Sequence, residues 1–429
     1  MLTVAKFGGS SLADARGFQT VRERVTADPA RRGVVVSAPG RRFAGDPKIT
    51  DLLYACYEAR QENGPWEPVF RAVAGRFREI CRLSGAFLNM ETELEALEKK
   101  IREGVSRDYL ASRGEYFSAL ILSRLLDWKF IDSARWLRFD EAGRVDTVRS
   151  CGLLRQLADR PFVTPGFYGA MPDGEIRTFT RGGSDITGAL AAAALDAGLY
   201  ENWTDVCGIL QADPRLLPEA QPVRYMTYGE LAELTAVGTQ VLHEGAVRPV
   251  REAGIPLHIR STFCPEDPGT VIVPQLPEGV RRSTLLCLAG LRDRTLISLE
   301  SRERGLLSRL LREAGAEPDF LTAAFGRHTA TVAGEQAERT VEAMGPYLGQ
   351  VTVRDAVALV AVIIAREEAR GPLGADLLAA VRQEHIPIHA ILRPFGGHTL
   401  LLAVPDGEYE RTLRALHRCA DGGGFQVRS

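Results

Sequence analysis

Twice in this chain a strand pattern ends on Gly-Gly-Ser and passes into a helical pattern: "VAKFGGSSLADARGFQTVRERV", starting at Val4, and "RTFTRGGSDITGALAAAAL", starting at Arg177. Where a glycine-rich turn opens a helix, free backbone N–H groups and the positive end of the helix dipole converge, and glycine lets an anion approach the backbone. A single turn of this kind is more often a plain strand-to-helix corner with a serine cap. Two of them, the first beside Lys6, reverse those odds and point to phosphate.

The surrounding sequence supplies the sheet that carries the turns. "LTVAKF", "RGVVVSA", "KFIDS", "PFVTPGF", "ENWTDVCGIL" and "PLHIRST" read as buried strands alternating with helical patterns across residues 1–275. That is the rhythm of an α/β protein with a mostly parallel central sheet sandwiched by helices. Between residues 60 and 108 the period changes, with Leu94, Leu97 and Ile101 at helical spacing, which predicts an antiparallel helical insertion beside the sheet. A Pro- and Gly-containing stretch reads as a linker over 276–284. Residues 285–429 then repeat a strand, a glycine-led amphipathic helix and a strand, first through "RTLISLES" and "GLLSRLLREAGAEPDFLTA", later through "VALVAVIIA" and "GADLLAAVRQEHIPIHAIL". Two small α/β units are expected there.

The residues beside the two turns differ in a way that separates their guests. Lys6 ends the first strand and can set a point charge against a phosphoryl oxygen, aided by Gly8, Gly9 and Ser10. Asp185, next to Ser184 in the second turn, would repel phosphate. A carboxylate four residues from the guanidinium of Arg181 suits a zwitterion instead, the arginine taking a carboxylate and Asp185 an ammonium. Further polar groups sit at strand ends, where sheets of this class bind ligands. They are Ser37, Thr50 and Asp51, then Thr204 and Asp205, and Asp213 and Arg215 in the following loop. Glu115 is either a second ammonium ligand or a first-turn acid of its helix.

Composition narrows the partners. The 429 residues are 45 % hydrophobic and 25 % charged with a net charge of −2, which gives no sign of a nucleic-acid binder. No apolar run approaches the ~18 residues of a membrane span. The seven cysteines are scattered without a CxxC pair and read as buried thiols of a cytoplasmic protein. GxxxxGK[ST], the HRD and DFG pair, HExxH and GxSxG do not occur, so phosphoryl transfer would run on an unrelated scaffold, and no residue is assigned as a metal ligand.

"KFGGSS", "VVVSAPG", "SRGEYFSA", "FTRGGSDITGALAAA", "TDVCGILQADPR" and "VGTQVLHEGAV" stand in the order and approximate spacing of the aspartate kinases, so the chain resembles that branch of the amino acid kinase superfamily over nearly its whole length. The resemblance implies an amino acid kinase fold followed by two ACT-like, ferredoxin-type units, the first, at about 295–356, inserted into the second. Residues from "LLCLAGLRD" would then pair with residues after about 357. It implies MgATP-dependent phosphorylation of the β-carboxylate of L-aspartate to 4-phospho-L-aspartate, the entry step to lysine, threonine, methionine and diaminopimelate. Carried over by position, Lys6 and Asp185 are catalytic, and Thr50, Glu115, Arg181, Ser184 and Asp185 bind substrate. Lys6, Gly8, Gly9, Ser10, Thr204, Asp205, Leu210, Asp213, Arg215, Gln240 and Val241 match nucleotide positions. The cofactors implied are ATP and Mg²⁺. Lysine or threonine would act as effector at the ACT region, and the assembly would be a homodimer or a dimer of dimers.

Three positions depart from the commoner family pattern: Gln240 stands where a lysine holds the ATP phosphates, Leu210 where a tyrosine lies near the nucleotide, and Glu244 where a proline follows Leu242-His243. They read as a subfamily trait, with a weakened ATP site as the rival explanation. The turns at Arg304-Gly305 and Pro372-Leu373-Gly374 also differ from the usual effector turns. Two other readings stay open, a kinase of another amino acid such as glutamate and a non-catalytic amino-acid-binding regulator of the same fold.

Overall fold

The computed structural model describes all residues except 181, 238–241, 243, 281, 284, 366–372, 393–398 and 422–429. The chain forms two units, one of Met1–Ile209, Arg224–Tyr228 and Val241–Leu276, the other of Leu210–Val223, Gly229–Gln240 and Pro277–Ser429. Two stretches that the sequence reading groups with residues 1–275 therefore belong with the C-terminal unit.

The first unit is built on an eight-stranded sheet. Its order is Tyr225–Thr227, Thr270–Val273, Leu257–Ser261, Leu199–Thr204, Thr3–Phe7, Arg31–Val36, Phe162–Pro165 and Lys129–Phe130. Every pairing is parallel except that of Leu257–Ser261 with Thr270–Val273. Parallel strands covered on both faces need continuous apolar runs, and Val34, Val35 and Val36 are each fully buried. The expected strands appear, with two changes. "ENWTDVCGIL" is divided into Leu199–Thr204 and Ile209–Leu210, and "KFIDS" contributes two strand residues before a 3₁₀ turn at Ser133–Arg135.

Helices close on the sheet where small residues permit. Gly183–Ala194 lays Ala189, Ala191, Ala192 and Ala194 against it without exposure, and a Cβ on Gly188 would come 2.5 Å from the Tyr200 hydroxyl. Arg107–Leu126, capped by Ser106 accepting from the Tyr109 N–H at 3.2 Å, brings Gly114 so close to Ala38 that a Cβ there would lie 2.7 Å from the alanine's own. Glu67–Ser84 and Met90–Glu103 form the helical insertion, with Leu94, Leu97 and Ile101 buried as their spacing requires.

Beneath this face the sheet carries a buried charge cluster. Glu201, 2 % exposed, accepts from Arg31 Nε at 2.6 Å and Nη2 at 3.0 Å, from Trp203 Nε1 at 3.0 Å and from Arg260 Nη1 at 3.3 Å. Both guanidinium groups also sit over the Trp203 ring, at 5.2 and 4.5 Å from its centroid. Burial alone would push the Glu201 carboxyl up, but Arg31, Trp203 and Arg260 together hold it below its ordinary value.

The second unit has a six-stranded antiparallel sheet in the order Phe320–Ala324, Arg327–Ala333, Leu285–Glu300, Val351–Ile364, Thr399–Pro405, Ala390–Leu392. Its two central strands each serve two motifs. The start of Leu285–Glu300 pairs with the end of Val351–Ile364 (Leu285↔Ile364 to Leu291↔Leu359), and its later half pairs with Arg327–Ala333. The inner motif, with helices Leu306–Glu313 and Gly334–Ala343, is thereby nested within the outer one, which carries Leu373–Gln383 and Tyr409–Asp421. Each has its own core, one around Leu299, Leu307, Leu310 and Val332, the other around Val360, Val362, Leu377 and Leu416. The register shifts between Leu291 and Leu296, and left-handed backbone at Asp293 (φ 54°) and Ala356 (φ 52°) marks the step from one motif to the next.

Removing one partner of a buried pair strands the others, so Glu201→Gln is expected to lower the unfolding free energy by about 3–5 kcal/mol in urea titrations. Removing the exposed Arg144–Asp140 pair is expected to change it immeasurably.

Candidate active site

The first strand ends at Phe7, and Gly8 turns the chain by donating its N–H to the Trp203 carbonyl at 3.0 Å. Gly9 and Gly40 then pack backbone to backbone: the Gly40 N–H reaches the Gly9 carbonyl at 2.8 Å, and a Cβ on Gly40 would stand 2.7 Å from Gly9 C and O. This turn opens a 3₁₀ segment, Ser10–Leu12, and the α-helix Ala15–Thr26 follows with Asp14 as its cap. Ser10 is therefore not an α-helix cap, and a full helix dipole does not start at Gly8-Gly9. What the turn offers is narrower: the Ser11 and Leu12 N–H groups bond back to Gly8 and Gly9, leaving those of Gly9 and Ser10 without a partner among the described residues. Two adjacent N–H groups beside an ammonium fit a phosphoryl oxygen.

The second turn does begin an α-helix. Gly182, in left-handed backbone (φ 60°), precedes Gly183–Ala194 with no side-chain cap, so the first N–H groups of the helix are left for an anion. A Cβ on Gly183 would meet Phe167 Cα at 2.8 Å, and one on Gly166 would meet Ser184 Cβ at 2.6 Å, so small residues on both sides set the turn. Asp185 lies in the first turn of the helix and Ser184 is buried. Arg181 lies outside the described residues.

The two turns meet through side chains. Lys6 Nζ is 2.7 Å from Asp185 Oδ1, with side-chain exposures of only 8 % and 22 %. Asn202, which lies in register with Lys6 on the adjacent parallel strand, donates Nδ2 to Asp185 Oδ1 at 3.0 Å and presents Oδ1 to Lys6 Nζ at 3.4 Å. Sequence reading did not single out Asn202, because its strand reads as buried and apolar. The signal was there, since an amide in the middle of such a strand needs polar partners.

Glu115 is not a first-turn acid. It lies in the third turn of Arg107–Leu126, 4 % exposed, and Oε2 has no hydrogen-bond partner among the described residues. Burial, only partly offset by the Ala38 N–H, raises its carboxyl to about 8. Ala38 is also the residue whose carbonyl a Cβ on Gly9 would meet at 2.8 Å, so Glu115 and the first glycine turn share one loop. The same loop starts the helix bearing Thr50: the Ile49 N–H bonds the Pro39 carbonyl at 3.3 Å. On the other side, Thr204 ends the strand paired to Thr3–Phe7, and its hydroxyl donates to Asp205 at 3.0 Å.

Lys6, Gly8, Gly9, Ser10, Thr50, Glu115, Ser184, Asp185, Thr204 and Asp205 are thus all in the first unit, around the ends of its central strands. Leu210, Asp213 and Arg215 belong to the second unit, where the guanidinium of Arg215 is engaged by Asp213 at 2.6 and 3.0 Å. Gln240 and Val241 lie outside the described residues.

The two glycine turns that this ion pair joins lie within residues 1–261, over which the model of the amino acid kinase family matches. The chain belongs to the amino acid kinase family. Aspartokinase 3 of Bacillus subtilis is 34 % identical over 297 residues, 63 % of this chain and 63 % of that protein. The chain therefore spans less than two thirds of that relative. The crystal structure of Clostridium acetobutylicum aspartate kinase matches with a TM-score of 0.89 at 31 % identity, covering 98 % of this chain and 99 % of that one. Escherichia coli aspartokinase III, solved with aspartate and ADP and again with lysine and aspartate, matches at 26 % identity over 98 % of this chain and 99 % of that one, with TM-scores of 0.73 and 0.74. No helix among the described residues is long and apolar enough to cross a membrane.

The raised Glu115 carboxyl has a signed consequence for this family member. In the unfolded chain it ionises near 4.5, in the folded protein near 8, so the folded state loses stability as pH climbs through that window. Glu115→Gln, which has no proton to lose, is expected to melt progressively higher than wild type as pH rises from about 5 to about 8. Differential scanning calorimetry across that range checks it, and a constant offset would contradict the assignment.

Proposed function

We propose that the chain is an aspartate kinase, moving the γ-phosphoryl group of ATP to the β-carboxylate of L-aspartate and releasing 4-phospho-L-aspartate. The observation that carries this reading is the 2.7 Å contact between Lys6 and Asp185, which joins a phosphate turn to an amino-acid turn. The acceptor needs no general base, because a carboxylate with its ordinary pKa near 4 is already nucleophilic at neutral pH. Catalysis is then positioning and charge neutralisation.

Lys6 and the Gly9 and Ser10 N–H groups receive the transferring phosphoryl group, with Gly8 allowing the approach. The open N-terminus of Gly183–Ala194, Ser184 and Arg181 hold the α-carboxylate. Asp185 and Glu115 take the ammonium, and Thr50 lines the pocket. Thr204, Asp205, Leu210, Asp213, Arg215, Gln240 and Val241 serve the nucleotide, whose phosphates carry Mg²⁺ to the site. Residues 285–429 form the tandem ACT region, inserted unit at about 295–356, which binds lysine or threonine and pairs in a homodimer or dimer of dimers. The product enters lysine, threonine, methionine and diaminopimelate synthesis in the cytoplasm.

Trapping the acyl phosphate with hydroxylamine tests the reading directly. With MgATP, aspartate is expected to give hydroxamate at least about tenfold faster than glutamate, since the added methylene misplaces the nucleophile. No product from a folded sample overturns the proposal, and a preference for glutamate replaces it with a sister activity. Repeating the assay with lysine, threonine and both identifies the effector.

Two variants test the roles. Lys6→Ala is expected to lower kcat by about 10³-fold with a smaller change in KM, its charge mattering most in the transition state. Arg181→Ala is expected chiefly to raise KM for aspartate. Equal, small effects from both would contradict the division.

A further inference from the structure

We propose that Asn202 is a positioning residue, which fixes how Lys6 and Asp185 divide their bonding capacity between each other and the two substrates. The inference rests on the kinase reading above and adds a residue to it. The three side chains close a triangle: Lys6 Nζ to Asp185 Oδ1 at 2.7 Å, Asn202 Nδ2 to the same Oδ1 at 3.0 Å, and Lys6 Nζ to Asn202 Oδ1 at 3.4 Å. Lys6 is 7 % and Asn202 4 % exposed, so each polar atom here must find its partner within the protein or in a ligand. The amide has one workable orientation. Turned over, it would set its NH₂ against the ammonium and its oxygen against the carboxylate.

This geometry divides the donors and acceptors. An ammonium has three N–H donors; one goes to Asn202 Oδ1 and Asp185 balances the charge, which leaves donor capacity on Lys6 for a phosphoryl oxygen. Asp185 Oδ1 accepts from Asn202 and is ion-paired with Lys6, whereas Oδ2 has no partner among the described residues and is left for a substrate ammonium. Asn202 also separates the two tasks. When Lys6 shifts toward the transferring phosphoryl group, Nδ2 still holds Asp185 Oδ1, so the carboxylate keeps its aim at the amino acid. A neutral amide does this without competing for the lysine's charge, which an acidic residue in its place would do. Register makes the arrangement possible: Lys6 and Asn202 are paired on adjacent parallel strands and share one face.

Asn202→Asp and Asn202→Leu, both close to the native side chain in size, test the idea. Asn202→Leu removes both bonds and is expected to lower kcat about 10- to 100-fold while KM for ATP stays within about threefold. Asn202→Asp turns the donor into an acceptor beside Asp185, and two carboxylates sharing one lysine hold a proton between them more tightly. Its kcat is expected to be depressed at pH 8 and to recover toward pH 6, where the shared proton restores a donor, a rise on acidification that wild type and Asn202→Leu lack. A pH profile parallel to wild type, or wild-type kcat in Asn202→Leu, overturns the proposal.

A readout free of activity separates this outcome from failure of the kinase reading. The chain has five lysines (6, 48, 99, 100 and 129), so NMR of protein labelled with ¹³C,¹⁵N-lysine gives few side-chain Cε–Nζ signals, with Lys6 assigned by its loss in Lys6→Arg. In both Asn202→Asp and Asn202→Leu the Lys6 signal is expected to shift while the other four stay in place. If wild type makes no hydroxamate but the Lys6 signal responds, the kinase reading falls and the positioning role stands. An unmoved Lys6 signal in both folded variants sinks it. Should Asn202→Leu fail to fold, the Asn202→Asp profile and its Lys6 signal decide alone.

Discussion

The site depends on one register. Strand Thr3–Phe7 runs parallel to Leu199–Thr204 with Lys6 opposite Asn202 and Ala5 opposite Glu201, and in a strand successive side chains point to opposite faces. On one face Asn202 meets Lys6 and Asp185. On the other, Glu201 is locked between Arg31 and Arg260 over Trp203. A slip of one residue would exchange the two sets, burying an unpaired lysine where the glutamate belongs. The charge cluster underneath therefore acts as a register pin: its geometry is specific enough that the wrong pairing strands several charges at once. Whatever net stability it adds, it makes the alternative costly.

Much of this was legible in the sequence because it arises from local rules. Continuous valine runs mark strands covered on both faces, the alanine-rich stretch after Gly183 marks a helix pressed close to a sheet, and Leu94, Leu97 and Ile101 mark a helix with one buried stripe. Both glycine turns could be read, and so could the charge contrast between Lys6 and Asp185, which the structure brings into one ion pair. What could not be read depends on distance along the chain. Glu115 looked like a helix-start acid because the cap that begins its helix, Ser106, lies nine residues earlier in an unremarkable stretch. Asn202 went unnoticed because its partners are 196 and 17 residues away. The first glycine turn resembled an α-helix start, yet the extra residues Ser10–Leu12 tighten into a 3₁₀ segment and Asp14 takes over the cap.

The second unit follows a different logic, and the sequence repeat showed it only in outline. Repeated strand–helix–strand runs suggest two domains in tandem, whereas the pairing of Leu285–Leu291 with Leu359–Ile364 nests one inside the other. Two long strands are shared, and the step between the motifs is marked by the register shift around Arg294 and the left-handed residues Asp293 and Ala356. Left-handed backbone at a residue with a Cβ costs of order 1 kcal/mol or more, so the step persists because the two separate cores on either side over-determine it. Nesting also means that the inner motif cannot shift without moving strands that belong to the outer one.

In the proposed reaction the same economy applies to charge within the first unit. Lys6 and Asp185 neutralise each other at 2.7 Å in a place where neither is open to much water. A substrate ammonium drawn to Asp185 weakens the carboxylate's hold on Lys6, which leaves the lysine freer to follow a phosphoryl group. A phosphate drawn to Lys6 in turn leaves Asp185 with charge to spend on an ammonium. The coupling is reciprocal by thermodynamic necessity, because both effects pass through one shared ion pair. It also favours a ligand pair carrying both signs over either sign alone, so the contact that joins the two glycine turns is itself a source of discrimination. A neutral neighbour at position 202 keeps that exchange between two charges, where a third would hold one of them in place.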